Sequence, residues 1–156
     1  AFTASVCNLR PHSRGTVQIT SANPFAKPLI APHYLSDEAD RLVAAKAIRL
    51  TRNIVRQAPL AEHVTDEFLP GAEFQSDEEL AAKAGDISTT IFHPVGTAKM
   101  GNDKQAVVSD RLKVHGISGL RVADASVMPT ITSGNTNSPT LMIAEKAADF
   151  ITRERH

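Results

Sequence analysis

LRVADASVMPTITSGNTNSPTLMIAEKAA, residues 120–148, is the stretch the remainder of the chain is arranged to support. It reads as a buried strand from Leu120 to Ala123, then a small-residue turn at Asp124, Ala125 and Ser126. A polar loop from Ser133 to Ser138 follows, and then a helix opened by Pro139. Proline suits a first helical position because its missing N–H has no partner there, and Ser138 ahead of it has the hydroxyl to cap exposed amides. A glycine-containing polar loop feeding a helix N-terminus favours an anion or a negative dipole, since free amides and the helix dipole point the same way. The same pattern also fits an ordinary loop before a terminal helix.

Outward from that stretch, composition sets the limits. The chain has 156 residues, of which 42% are hydrophobic and 22% charged, enough for a real core in a soluble fold. Seventeen basic residues balance seventeen acidic ones, so no net field favours nucleic acid or an anionic membrane. Cys7 is the single cysteine, which excludes an internal disulfide and a thiolate cluster. No apolar run is long enough to span a bilayer, and the N-terminus lacks the order of a secretory signal. Ala1 is not an initiator methionine, and a fragment of a longer chain or a processed piece is expected.

Upstream, residues 1–35 carry β signals: Ala4 to Leu9 is apolar, and Gly15 to Thr20 alternates Val17 and Ile19 with polar neighbours. Pro24, Pro28 and Pro32 make the next segment an extended edge or loop. Arg10, His12 and Arg14 lie in the turn between them, to hold an anion, to stay solvated or to brace a neighbouring loop. A helix is expected from Ser36 to Pro59, its apolar face made by Ala44, Ala47, Ile48, Thr51, Ile54, Val55 and Ala58. Arg41, Lys46, Arg49, Arg52 and Arg56 fall largely off that face, as solvated charges do. A second helix starts at Ser76 with a capping box to Glu79 and is weakened at Gly85. It runs toward His93, where Pro94 forces the backbone out of the helical region and opens the loop HPVGTAKMG, residues 93–101. Short extended pieces at 107–110 and 112–114 and a turn at 116–119 lead back to the opening stretch. Strands and helices are segregated rather than alternating, which predicts an α+β fold rather than a doubly wound sheet.

The chemistry-bearing patterns thin out quickly. The six histidines have no i, i+4 pair and no cysteine partner, so no metal site is expected. G-x-S-x-G, the P-loop and G-x-G-x-x-G are all absent. His93 at a helix-to-loop junction, and Asn135 with Asn137 in SGNTNSPT, are what remain.

Taken together those segments resemble a known family. HPVGTAKMG and DRLKVHGISGLRVADASVMPTITSGNTNSPTLMIAEKAADFI (residues 110–151) are similar to the C-terminal part of the glucose-methanol-choline (GMC) oxidoreductases, choline and alcohol dehydrogenase-like members in wording. NLRPHSRGTVQI (8–19) and KPLIAPHYLS (27–36) resemble the family's last stretch of substrate-domain sheet. The likeness covers nearly the whole chain, in the family's order. One departure is Ala98, where many relatives read cysteine.

The resemblance implies that His93 is an active-site histidine beside a flavin and that Asn135 fills the second active-site position. It implies that Asp124 and Ala125 contact the ribityl and pyrophosphate region of FAD, and that Thr136, Asn137 and Pro139 lie near the flavin's pyrimidine edge. It implies that residues 1–104 form a substrate-binding part, an antiparallel sheet with helices packed on it, and that 105–156 return as short strands and a C-terminal helix to an FAD-binding part, whose N-terminal βαβ unit is not in this sequence. The implied activity is oxidation of a small-molecule alcohol by hydride transfer to FAD, His93 serving as base and Asn135 assisting. The missing N-terminal part would be the partner, and the piece alone is expected to be inactive. Two rivals stand beside this: a hydroxynitrile lyase on the same fold, and a non-catalytic binding or structural module.

Overall fold

The computed structural model describes residues 1–154, and their contacts divide into two units, Ala1–Thr89 and Thr90–His156. The fold is α+β, as the segregated elements predict. In the first unit, β1 (Thr16–Gln18) pairs antiparallel with β2 (Leu29–Ala31), Val17 opposite Ile30. β1 lies within the alternating GTVQIT segment. β2 forms in the proline-rich segment, between Pro28 and Pro32, where no ladder amide is lost. Ala4–Leu9 forms no strand.

α1 (Glu38–Val55) and α2 (Asp77–Ile87) pack on each other. α1 starts later than the Ser36 expected, because Asp37 is its N-cap and accepts from the Ala39 amide at 2.8 Å. Glu38 and Asp40 occupy its first turn, where the dipole favours carboxylates. α2 carries the expected capping box: Ser76 Oγ accepts from Glu79 N, and the Glu79 carboxylate accepts from Ser76 N at 2.9 Å. It continues through Gly85 and ends at Ile87, short of the His93 junction. Leu80 and Ala84, one turn apart, and Ala45 of α1 are the apolar residues buried here. Leu80 is fully buried and contributes about 1.5–3 kcal/mol by leaving water.

The polar residues inside this unit were not foreseen. Asp40, on the first turn of α1, is buried and accepts from Asn8 Nδ2 and from the amides of His12 and Ser13. Burial, the largest single influence, pushes its carboxyl up, but the hydrogen bonds from Ser13 and His12 outweigh it and leave it below the ordinary value. The Arg10–Arg14 turn is therefore tied to α1 through its backbone.

Arg52 corrects the reading of it as solvated. Its side chain is only 9% exposed, and Nε and Nη2 grip both oxygens of Glu67 at 2.8 and 2.7 Å. It also donates to the carbonyls of Phe74 and Gly71, each at 2.9 Å. One guanidinium thus organises the irregular 67–74 segment, which has no ladder of its own. Periodicity placed Arg52 off the apolar stripe, but the 67–74 loop folds over that side of the helix and supplies acceptors.

The second unit is built around Val108, Leu112, Val127, Met128, Ile143 and Ala147. Isolated bridges join Met100 to Val108, Val108 to Val114, and Lys113 to Arg121. Leu120 is half-exposed and the 120–123 segment is held by that last bridge alone, so it is not the buried strand expected. The 116–119 turn forms as predicted, with Gly116 and Gly119 at φ 75° and 76° and Val114 N donating to Leu120 O. α3 (Asn137–Glu154) lays Ile143 and Ala147 on the core. At its C-terminal end Glu154 faces the unfavourable pole of the dipole, which Lys113 at 2.9 Å and Arg121 at 2.6 Å offset. Hydrogen bonds from Lys113 and then Arg121 hold its carboxyl below the ordinary glutamate value. No helix among the described residues is long and apolar enough to cross a membrane.

The Arg52 hydrogen bonds lead the causes that hold Glu67 below the ordinary value of 4.5, so the unfolded state binds the proton more tightly than the folded state. The pair's stabilisation is therefore complete above that ordinary value and is lost as pH falls through the lower folded value. Glu67→Ala is expected to cost about 3 kcal/mol at neutral pH in chemical denaturation. The variant should also lose less stability than the parent on acidification below pH ~4.5, the ordinary carboxylate range.

Candidate active site

His93 follows Phe92, whose backbone is left-handed at φ 62°, and Ser133, at φ 61°, stands just ahead of Gly134 and Asn135. Non-glycine residues adopt this region rarely and usually where the surroundings enforce it, often at functional sites. Both polar segments therefore enter the site through a forced bend.

The two segments are sewn together by backbone. Ala98 N donates to Ser126 O at 3.1 Å and Met100 N to Val127 O at 2.8 Å. Gly96, at φ 90°, turns the loop against the 128–129 backbone: a Cβ there would sit 3.5 Å from Met128 O. Ala98 thus contributes its amide to the join, a role that does not depend on the side chain at that position. The loop lies in the second unit, where it bonds to the 126–127 segment.

Above that join, His93 sits between two side chains. Its Nε2 lies 3.0 Å from Asn135 Nδ2, and its Nδ1 lies 3.1 Å from Thr136 Oγ1. His93 is half-buried, Asn135 is exposed and Thr136 is 7% exposed. The structure therefore brings together His93 and Asn135, the two predicted catalytic residues. It adds Thr136 to them in a position that the sequence had linked only to a cofactor.

The remaining predicted site residues fall on two helix starts. Asp124 is the N-cap of a short 3₁₀ turn, Ala125–Val127, and its exposed carboxylate accepts from the Ser126 amide at 2.8 Å. Ala125 is half-buried against the core. Asn137 is the first residue of α3, and Pro139 is its third rather than its first. The helix starts earlier than expected because Thr140 N donates to Thr136 O at 3.0 Å, closing the first turn upstream of the proline. Proline is still accommodated, since amides in the first turn have no helical acceptor. Ser138 is inside the helix and is not its cap. No group of three or more His, Cys, Asp or Glu among the described residues is placed to hold a metal ion.

Comparison with known proteins shows the family. The family model for GMC oxidoreductase matches residues 11–144. An "Alcohol dehydrogenase [acceptor]" of Pseudomonas putida is 44% identical over 153 residues, which is 98% of this chain and 28% of that protein. An "Oxygen-dependent choline dehydrogenase" of Proteus mirabilis is 47% identical over 150 residues, 96% of this chain and 27% of that protein. Among solved structures, an FAD-dependent oxidoreductase from Chaetomium thermophilum superposes with a TM-score of 0.88 at 36% identity, covering 94% of this chain and 26% of that one. Pyridoxine 4-oxidase from Mesorbium loti gives 0.86 at 33% identity, covering 95% and 28%. The chain belongs to the GMC oxidoreductase family. It spans between a quarter and a third of the length of these relatives.

Because a Cβ at Gly96 meets only ordinary contacts, the cost of replacing it is conformational. Gly96→Ala should destabilise the protein by about 1–2 kcal/mol, the penalty of a left-handed L-residue, read as a lowered denaturation midpoint.

Proposed function

We propose that this chain is the C-terminal part of a flavoprotein that oxidises a small-molecule alcohol to an aldehyde or ketone, with His93 as base and Asn135 assisting. The observation that carries the reading is the 3.0 Å approach of Asn135 Nδ2 to His93 Nε2, which sets a base and a hydrogen-bond donor side by side. An alcohol oxygen set beside the pair, in place of their direct contact, donates its proton toward Nε2 and accepts from the amide. Imidazole is suited to take that proton near neutral pH. The neutral Asn135 amide stabilises the negative charge developing on oxygen without adding a competing base.

The donor set also suits FAD, which when bound supplies the acceptor for the hydride. The first turn of α3 leaves the amides of Asn137 and Ser138 outside the helical ladder, and the dipole there favours negative charge. Asp124 offers an exposed carboxylate to ribityl hydroxyls, and Ala125 beside it is small enough for close approach. We assign Asp124, Ala125, Thr136, Asn137 and Pro139 to that cofactor. Residues 1–104 belong in this reading to the substrate-binding part and 105–156 to the FAD-binding part. The relatives are three to four times longer, and the ADP half of FAD falls to an N-terminal part of the same protein. The alcohol dehydrogenase and choline dehydrogenase among the relatives favour a CH–OH donor over a lyase substrate.

In the full-length protein, His93→Ala should slow flavin reduction by the preferred alcohol about 10²–10⁴-fold in stopped-flow absorbance while leaving FAD bound. An unchanged rate rejects the assigned role, and alcohol turnover with no flavin bleaching points to the lyase. Residues 1–156 purified alone are expected to show a sub-stoichiometric flavin spectrum; a fully loaded yellow protein rejects the need for an N-terminal part.

A further inference from the structure

We infer that Thr136 is a positioning residue that, together with Asn135, fixes the tautomer of His93, leaving Nε2 unprotonated as the base; this deepens, and rests on, the reading of His93 as the base. A neutral imidazole carries its proton on one nitrogen only, and the tautomer present follows from what each nitrogen faces. Asn135 presents Nδ2, a donor with no acceptor capacity, to Nε2 at 3.0 Å. A proton on Nε2 would set two donors against each other. The proton therefore resides on Nδ1, where Thr136 Oγ1, at 3.1 Å, accepts it.

Why this threonine is free to do so follows from the sequence of the helix start. Thr136 O accepts the first helical bond, from Thr140 N at 3.0 Å, which makes Thr136 the N-cap of α3. An N-cap hydroxyl ordinarily accepts from the amide of the second or third helical residue. The third residue here is Pro139, which has no N–H, so one of the two usual capping amides is gone, and the Thr136 hydroxyl lies 3.1 Å from the His93 ring. Thr140 Oγ1 also donates to Thr136 O, at 2.6 Å, which holds that residue from below. Thr136 is 7% exposed, so its hydroxyl has little water to exchange for the ring. The TNSPT wording thus does two things: it starts a helix and it frees the cap for a second partner.

The test uses the full-length holoenzyme with ¹⁵N-labelled histidine, His93 being assigned by its absence in His93→Ala. The parent should show a protonated Nδ1 and a bare Nε2. Thr136→Val, close in shape but without the hydroxyl, leaves a proton on Nδ1 without its acceptor; as the exposed Asn135 turns aside, the Nε2–H tautomer should be populated and flavin reduction slow about tenfold at saturating alcohol, the factor one such hydrogen bond supports. KM should change much less than kcat. Thr136→Ser, which keeps the hydroxyl, should recover most of the loss, and Thr136→Ala serves in place of the valine variant if that one fails to load flavin. A parent enzyme with its proton on Nε2 overturns the inference, as does a folded, flavin-loaded valine or alanine variant that keeps the bare Nε2. The tautomer is read without turnover, so it stands or falls separately from the assignment of His93 as base, which the His93→Ala flavin-reduction rate decides.

Discussion

Two backbone hydrogen bonds, Ala98 N to Ser126 O and Met100 N to Val127 O, hold together two segments far apart in sequence, and the site exists only because of them. They are main-chain bonds, indifferent to which side chains occupy positions 98 and 126. Beneath them Val127 and Met128 are buried, so the join is anchored in the core rather than lying on a flexible rim. Above them, the Phe92 and Ser133 bends aim His93 and Asn135 at each other. A local change to either loop that spared the core would still misalign the pair, because both members hang from the same seam.

The first unit solves a different problem by related means. Its irregular segments lack ladders, and their backbone groups find partners in buried ionic side chains of α1. Asp40 gathers the amides of the 12–13 turn, and Arg52 gathers Glu67 and the carbonyls of Gly71 and Phe74. A helix with charged residues at both a near and a far position becomes a spine for loops on either side. Burying such groups is costly unless every donor and acceptor is answered, and no buried side-chain polar atom among the described residues lacks a partner.

Much of the site was legible before any coordinates. The motifs HPVGTAKMG and SGNTNSPT singled out His93 and Asn135, and the structure brings them within hydrogen-bond distance. The Ser76–Glu79 capping box was readable because it depends on four consecutive positions. Arg52 was misread because helical periodicity reports which side of a helix is apolar, and says nothing about a loop returning to cover the polar side. The strand expected at 120–123 failed for a similar reason: a run of the right residues becomes a strand only when a partner ladder is present, and here it meets a single bridge. Thr136 carries no pattern that marks a hydroxyl as a histidine's partner. The one available hint, a proline at the third position of the helix, gains meaning only once the helix start is known.

The sequence by itself determined the α+β class and the family, and it singled out His93 and Asn135 as candidates, because these reside in short-range patterns and in motif order. Tertiary structure decided what those residues touch. Which ring nitrogen of His93 meets Asn135, that Thr136 meets the other, and that Arg52 is buried all depend on segments far apart in the chain being folded against one another. Such contacts are set by the closure of loops over a common core, and no local propensity encodes them.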